Sequence, residues 1–174
     1  LQQVSGRFGS ERTREFTVEC GRPDTIDRQK LAAIAECGAK RISINPQTMS
    51  DVTLERIGRS HNAQQIRDAF GLARDSGIPF INADLIAGLP GESLEDFDLT
   101  LEQVLRLKPE NITVHTLAVK RASRLIEEDQ DYAYRQGGVT AEMLRIARTA
   151  LSRAGYRPYY LYRQKHMAQN LENI

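Results

Sequence analysis

Five stretches of the chain, "EFTVEC" (15–20), "RISIN" (41–45), "FINADLIAG" (80–88), "NITVHTLAV" (111–119) and "RPYYLYRQ" (157–164), have the composition of strands. The intervening segments follow the helical period instead. Over 27–37, Leu31, Ile34 and Ala35 fall on one side, and Gly38 supplies a stop. A second helix is predicted from about Asp51, and a third over 63–75, capped by Asn62 and ended by Gly77. Ser93 with Asp96 forms a capping-box pattern, after which Leu94, Phe97, Leu101, Val104 and Leu105 make an apolar stripe as far as Pro109. Two further helices are expected, at roughly 122–135 and, beyond "GGVT", at 140–154.

Strands and helices alternating at this spacing build β/α units around a parallel sheet with right-handed crossovers. The sheet is either open and doubly wound or part of a barrel. Helices cover both faces of a doubly wound sheet, so its inner strands are apolar on both sides. These strands are apolar on one side only. In "RISINPQ" Ile42 and Ile44 share one parity, while Ser43, Asn45 and, if the extended backbone continues, Gln47 share the other. Phe16 and Val18 oppose Thr17 and Glu19 in the same way, and Ile81, Ala83 and Leu85 oppose Asn82 and Asp84. One apolar face for helices and one polar face for a ligand is the pattern of a β/α barrel with a functional interior. Glu19, Gln47 and Asp84 fall at or just beyond the C-terminal strand ends, the rim on which such barrels carry their active sites. A carboxylate placed there, at the end of an apolar strand, is costly to bury alone, so Asp84 needs a partner.

Composition narrows the class. The 174 residues, 40% of them apolar, suffice for the core of one domain. With 24 Lys and Arg against 23 Asp and Glu, the net charge of +1 points to neither a nucleic-acid surface nor an acidic tail. No apolar run approaches the roughly 20 residues of a membrane span, and "LQQVSGRFGS" lacks the zones of a signal peptide, so a cytoplasmic protein without a membrane partner is expected. Cys20 and Cys37 are too few and too far apart for a zinc motif or a disulfide scaffold. Because the chain opens on Leu1 and stops at "QNLENI", it is expected to be a piece of a longer protein.

The phrases "RISINPQTMSDVTLERIGRSH", "INADLIAGLPGES" and "ITVHTLAVKRAS", in that order, resemble the radical S-adenosylmethionine enzymes, and within them the oxygen-independent coproporphyrinogen III dehydrogenases. The closing "YRPYYLYRQKHMAQNLEN" resembles the HemZ-type branch. The resemblance covers nearly all of residues 15–173. It implies an α/β fold, a partial (β/α) radical SAM barrel of parallel strands with outer helices, truncated at its N-terminal strands. Residues 1–174 then form a single partial barrel domain, with a following family-specific region starting at about 156. The family's CxxxCxxC loop, whose three thiolates hold a [4Fe-4S] cluster, has no counterpart here, and Cys20 and Cys37 cannot replace it.

Carried over by position, the resemblance implies that Glu19, Gln47, Arg59 and Asp84 contact S-adenosylmethionine, with Gly88 in the "GLPGE" turn and Ala118 near the adenine. The residue types suit this. Carboxylates accept from ribose hydroxyls or an ammonium, and a guanidinium forks onto a carboxylate. Glycine at Gly88 and Gly91 allows the backbone a close approach to the ligand. The implied tetrapyrrole substrate carries four carboxylates, for which Arg121, Arg124, Arg163 and Lys165 are the candidate contacts. The implied reaction is oxidative decarboxylation of propionate side chains to vinyl groups in haem biosynthesis, with an electron donor as a further partner. Relatives on the same scaffold that deliver haem supply the alternative. His61, beside Arg59, is expected to hold that loop by a structural hydrogen bond, and His115 to face the barrel interior as a satisfied histidine.

Overall fold

The computed structural model describes residues 1–9, 12–117 and 132–158. After a short helix α1 (Gln2–Phe8) come β1 (Thr17–Gly21), a 3-10 turn (Pro23–Thr25), α2 (Arg28–Glu36) and β2 (Arg41–Gln47). Helices α3 (Asp51–Arg56) and α4 (Ala63–Asp75) lead into β3 (Phe80–Ala87), which is followed by α5 (Leu94–Arg106), β4 (Asn111–Thr116) and α6 (Tyr132–Arg153). The four strands form one parallel sheet in sequence order, β1-β2-β3-β4. Such an order arises when each helix returns the chain to the same end of the next strand, the repeating unit of a β/α barrel.

The apolar parity of the strands builds the core. Ile42, Ile44, Ile81, Ala83, Leu85 and Ala87 have no solvent exposure, and Val114 extends the same face onto β4. Leu31, Ile66, Phe70, Phe97, Leu101 and Met143 from the helices fill it against the sheet. Helix starts coincide with side-chain caps: Asp27 accepts from the Lys30 amide, Ser50 from Thr53, and Asn62 and Ser93 each make a reciprocal capping box.

The structure differs from the expected elements in three places. The N-terminal helix α1 has no counterpart among them: within "QQVSGRF" only Val4 and Phe8 are large and apolar, Gly6 disfavours a helix, and no residue is buried. The "GGVT" segment does not separate two helices: α6 runs continuously through Gly137 and Gly138. Two glycines weaken a helix by roughly 1 kcal/mol each but do not end it when the flanking turns pack, and Met143 and Ala147 of α6 are buried in the core. The third correction concerns the end of β2. The pairing register shifts between Ile44 and Gln47, and Gln47 has φ 70°, so extended backbone does not continue to Gln47 and simple alternation does not carry over to it. The strand expected at 157–164 and the helix at 122–131 lie outside the described residues, apart from Arg157 and Pro158.

Candidate functional site

The sheet face opposite the core is polar. Register places Glu19 beside Ser43, Ser43 beside Asn82, Asn82 beside Asn111, and Asp84 beside Thr113. Asn82 is 7% exposed and organises the cluster. Its Nδ2 donates to Ser43 Oγ at 2.8 Å and to Asp84 Oδ1 at 2.7 Å, while its Oδ1 accepts from Asn111 Nδ2 at 2.6 Å and Thr113 Oγ1 at 3.0 Å. Ser43 Oγ lies 3.4 Å from Asp84 Oδ2. Two residues beyond Thr113 on β4, His115 brings Nε2 to 3.9 Å from Asp84 Oδ1. Asp84 is therefore oriented by neutral donors and approached by an imidazole, and it retains acceptor capacity on a carboxylate only 15% exposed.

Beyond the C-terminal end of β3 the chain turns at Gly88 and Gly91, with φ 85° and 72°. A Cβ on Gly88 would come within 2.5 Å of Thr140 Oγ1, so α6 closes directly over this turn. The Arg56 guanidinium donates to the Pro90 carbonyl at 2.8 Å and ties α3 to the same turn. Below it Glu92 is 4% exposed and accepts from Thr48 Oγ1 at 2.6 Å. Burial pushes the Glu92 carboxyl up to about 7, against the pull of the Thr48 hydrogen bond.

Arg59 lies in the α3–α4 loop, half-buried, its amide donating to Leu54 O at 2.8 Å. The loop is anchored by its neighbours. Ser60 Oγ donates to Asp24 Oδ2 at 2.8 Å, and Arg22 bridges both, reaching Asp24 at 2.7 Å. The Arg22 hydrogen bond holds the Asp24 carboxyl down at about 2. His61 is buried, with Nε2 3.4 Å from Pro46 O and Nδ1 3.8 Å from Asp24 Oδ1. Burial lowers its pKa below the usual histidine range, which is the behaviour of a structural imidazole.

Of the residues singled out in the sequence, Glu19 and Asp84 stand on the polar sheet face, Gln47 at the bend ending β2, Gly88 at the end of β3, and Arg59 in the loop after α3. Glu19 is exposed on the edge strand and Gln47 is 7% exposed. Ala118, Arg121, Arg124, Arg163 and Lys165 lie outside the described residues. Sequence reasoning assigned no role to Thr48, Glu92 and Thr100. Only Glu92, a carboxylate directly after a glycine-proline-glycine turn, carries any local signal, since hydroxyls far apart in sequence announce no contact. Burial and the adjacent Glu19 raise the Cys20 thiol to about 11, and Cys37 is buried. Among the described residues no group of three His, Cys, Asp or Glu side chains is placed to hold a metal, and no helix is long and apolar enough to cross a membrane.

The oxygen-independent coproporphyrinogen-III oxidase-like protein HemZ of Bacillus subtilis is 44% identical over 161 residues, covering 92% of this chain and 32% of that protein. The heme chaperone HemW of Haemophilus influenzae is 30% identical over 164 residues, 91% of this chain and 41% of the relative. The chain thus spans 32% and 41% of the length of these two relatives. Among solved structures, the coproporphyrinogen III oxidase HemN of Escherichia coli superposes with a TM-score of 0.66 at 23% identity, over 82% of this chain and 33% of that one, a likeness of fold. The Radical SAM superfamily model matches residues 8–104, more than half of the sequence, and the chain belongs to that superfamily.

Proposed function

We propose that this chain is part of an oxygen-independent coproporphyrinogen III dehydrogenase, and that its polar sheet face and rim bind S-adenosylmethionine. The observation that carries the reading is the 44% identity to the Bacillus subtilis HemZ protein across 92% of the chain, joined to a polar face that converges on Asp84. The superfamily's cofactors are S-adenosylmethionine and a [4Fe-4S] cluster.

The residues fit the first of these. Asp84, fixed by Asn82 and Ser43, offers free lone pairs to hydroxyl or ammonium donors, and Glu19 offers a second carboxylate from the neighbouring end of the sheet. Arg59 is the cation for a ligand carboxylate, carried on a loop that Asp24, Ser60 and His61 hold. Gly88, at φ 85°, directly follows β3 on the rim without a side chain of its own. The described residues do not fit the cluster, since its thiolates would have to come from a segment joined to this one.

The bound cofactor supplies one-electron hydrogen abstraction; the protein's part is positioning and exclusion of water. Preorganised acceptors on a rigid sheet meet that demand, because Asp84 needs no reorientation on binding. The reading implies a tetrapyrrole substrate, an electron donor and a cytoplasmic location, and predicts that the segment alone does not turn over. Arg121, Arg124, Arg163 and Lys165 are the proposed substrate contacts.

The test uses the full-length protein, reconstituted with iron and sulfide without oxygen and given reductant, S-adenosylmethionine and coproporphyrinogen III. Mass spectrometry should show loss of two carboxyl groups, and Asp84→Ala should abolish it with the cluster absorbance intact. A second reading has its own support in the 30% identity to the Haemophilus influenzae heme chaperone. Stoichiometric haem binding with the tetrapyrrole returned unchanged would establish that reading instead.

A further inference from the structure

Three buried polar side chains from three segments meet at the C-terminal end of the sheet. Thr48 follows β2 and is fully buried, Thr100 lies in α5 at 1% exposure, and Glu92 follows the glycine turn at 4%. Thr100 Oγ1 accepts from the Met49 amide at 3.1 Å and lies 3.1 Å from Thr48 Oγ1. Thr48 Oγ1 in turn accepts from the Ser50 amide at 3.2 Å and donates to Glu92 Oε1 at 2.6 Å. Each hydroxyl has one proton to give, so the chain of donation runs from Thr100 through Thr48 to Glu92. Glu92 Oε2 is buried and has no hydrogen-bond partner among the described residues.

We propose that Glu92 is a positioning residue which, through Thr48 and Thr100, clamps the Gln47 bend to the Gly88–Gly91 turn and so sets the shape of the rim. The two ends of the clamp are adjacent in sequence to the groups they fix: Thr48 directly follows Gln47 at φ 70°, and Glu92 directly follows Gly91 at φ 72°. The carboxyl does this in its neutral form. One oxygen accepts from Thr48, and the other carries the proton in a place that offers an ionised oxygen no donor. The charged groups that reach this turn do not compensate a negative charge. Asp96, in the first turn of α5, repels it, and Arg56 of α3 is engaged with the Pro90 carbonyl. Losing the proton near neutral pH therefore places an unpaired charge under the turn and loosens it. The consequence for ligand binding rests on the reading of this rim as the S-adenosylmethionine site.

The experiment compares full-length wild type, Glu92→Gln and Thr48→Val from pH 5 to 8.5, by thermal unfolding and by calorimetric titration with S-adenosylmethionine. The glutamine keeps an oxygen acceptor for Thr48 and never ionises. Its unfolding midpoint should match wild type at pH 5 and rise above it progressively through neutral pH. Wild-type affinity should fall severalfold between pH 6 and 8.5 relative to the glutamine variant, while Thr48→Val binds weakly throughout. A pH-independent difference between Glu92→Gln and wild type overturns the proposal, as does weaker binding by Glu92→Gln at pH 8.5. If the cofactor binds no variant at any pH, the identity of the rim falls and the link from Glu92 to the ligand falls with it.

Discussion

Asn82 Nδ2 donates to Asp84 Oδ1 at 2.7 Å along the same face of β3, and this contact joins two residues that interrupt an otherwise apolar strand. Asn82 also serves Ser43, Asn111 and Thr113 on the two neighbouring strands, so its amide is the hub of the polar face. Asn82→Ala should remove one hydrogen bond from each of four groups at once and cost about 1–3 kcal/mol, since buried polar groups that lose a hydrogen bond bear part of their desolvation uncompensated. Urea unfolding measures it. A loss no larger than that of an exposed asparagine would show that water replaces the hub freely.

Gly88 is under two independent constraints, a φ of 85° and the approach of Thr140. Gly88→Ala should destabilise by about 1–2 kcal/mol from the backbone conformation alone. The contact at 2.5 Å between its Cβ and Thr140 Oγ1 adds to that. In the double variant Gly88→Ala/Thr140→Ala the steric part should be recovered and the backbone part should remain. Full recovery would mean that the turn tolerates alanine.

The strand parities were legible because the helices pack on the apolar side of the sheet: Ile42, Ile44, Ile81, Ala83 and Leu85 alternate with Ser43, Asn82 and Asp84, and only Phe80 and Ile86 at the two ends of β3 put apolar residues on the polar parity. Caps at Asn62 and Ser93 were legible because they act within a single turn. The bend at Gln47 was not, since a register shift depends on how two strands fit and leaves no mark on either. Nor were the protein neighbours of Asp84 legible, namely the Asn82 amide and the Ser43 hydroxyl with His115 nearby. Contacts between β2, β3 and β4 follow from register, and register is a property of the assembled sheet.

His61 gives the segment an acid-sensitive point. Its folded pKa is lowered by burial, so the folded state prefers the neutral ring. The associated stability is complete above the unfolded value of about 6.5 and is lost as pH falls through it towards the folded pKa. Asp24, held at about 2, remains ionised throughout that window and partly offsets the loss. Urea midpoints should therefore fall between pH 7 and pH 5, and His61→Gln should remove that component. Parallel profiles for wild type and variant would assign the acid sensitivity to other groups.

Gly138 offers a stabilising change in a place where the sequence suggested a break. It is exposed, within α6, and a Cβ there meets nothing within 4 Å. Its φ is not in the left-handed region, unlike that of Gly155 at 89° just beyond the helix. Alanine thus introduces no clash, removes backbone freedom from the unfolded chain and favours the helix, worth about 0.5–1 kcal/mol. Gly138→Ala should raise the urea midpoint by that amount, and Gly155→Ala should lower it. If Gly138→Ala is instead destabilising, the two glycines mark a bend that α6 needs when Met143 and Ala147 enter the core, and the helix is not the uninterrupted element described above.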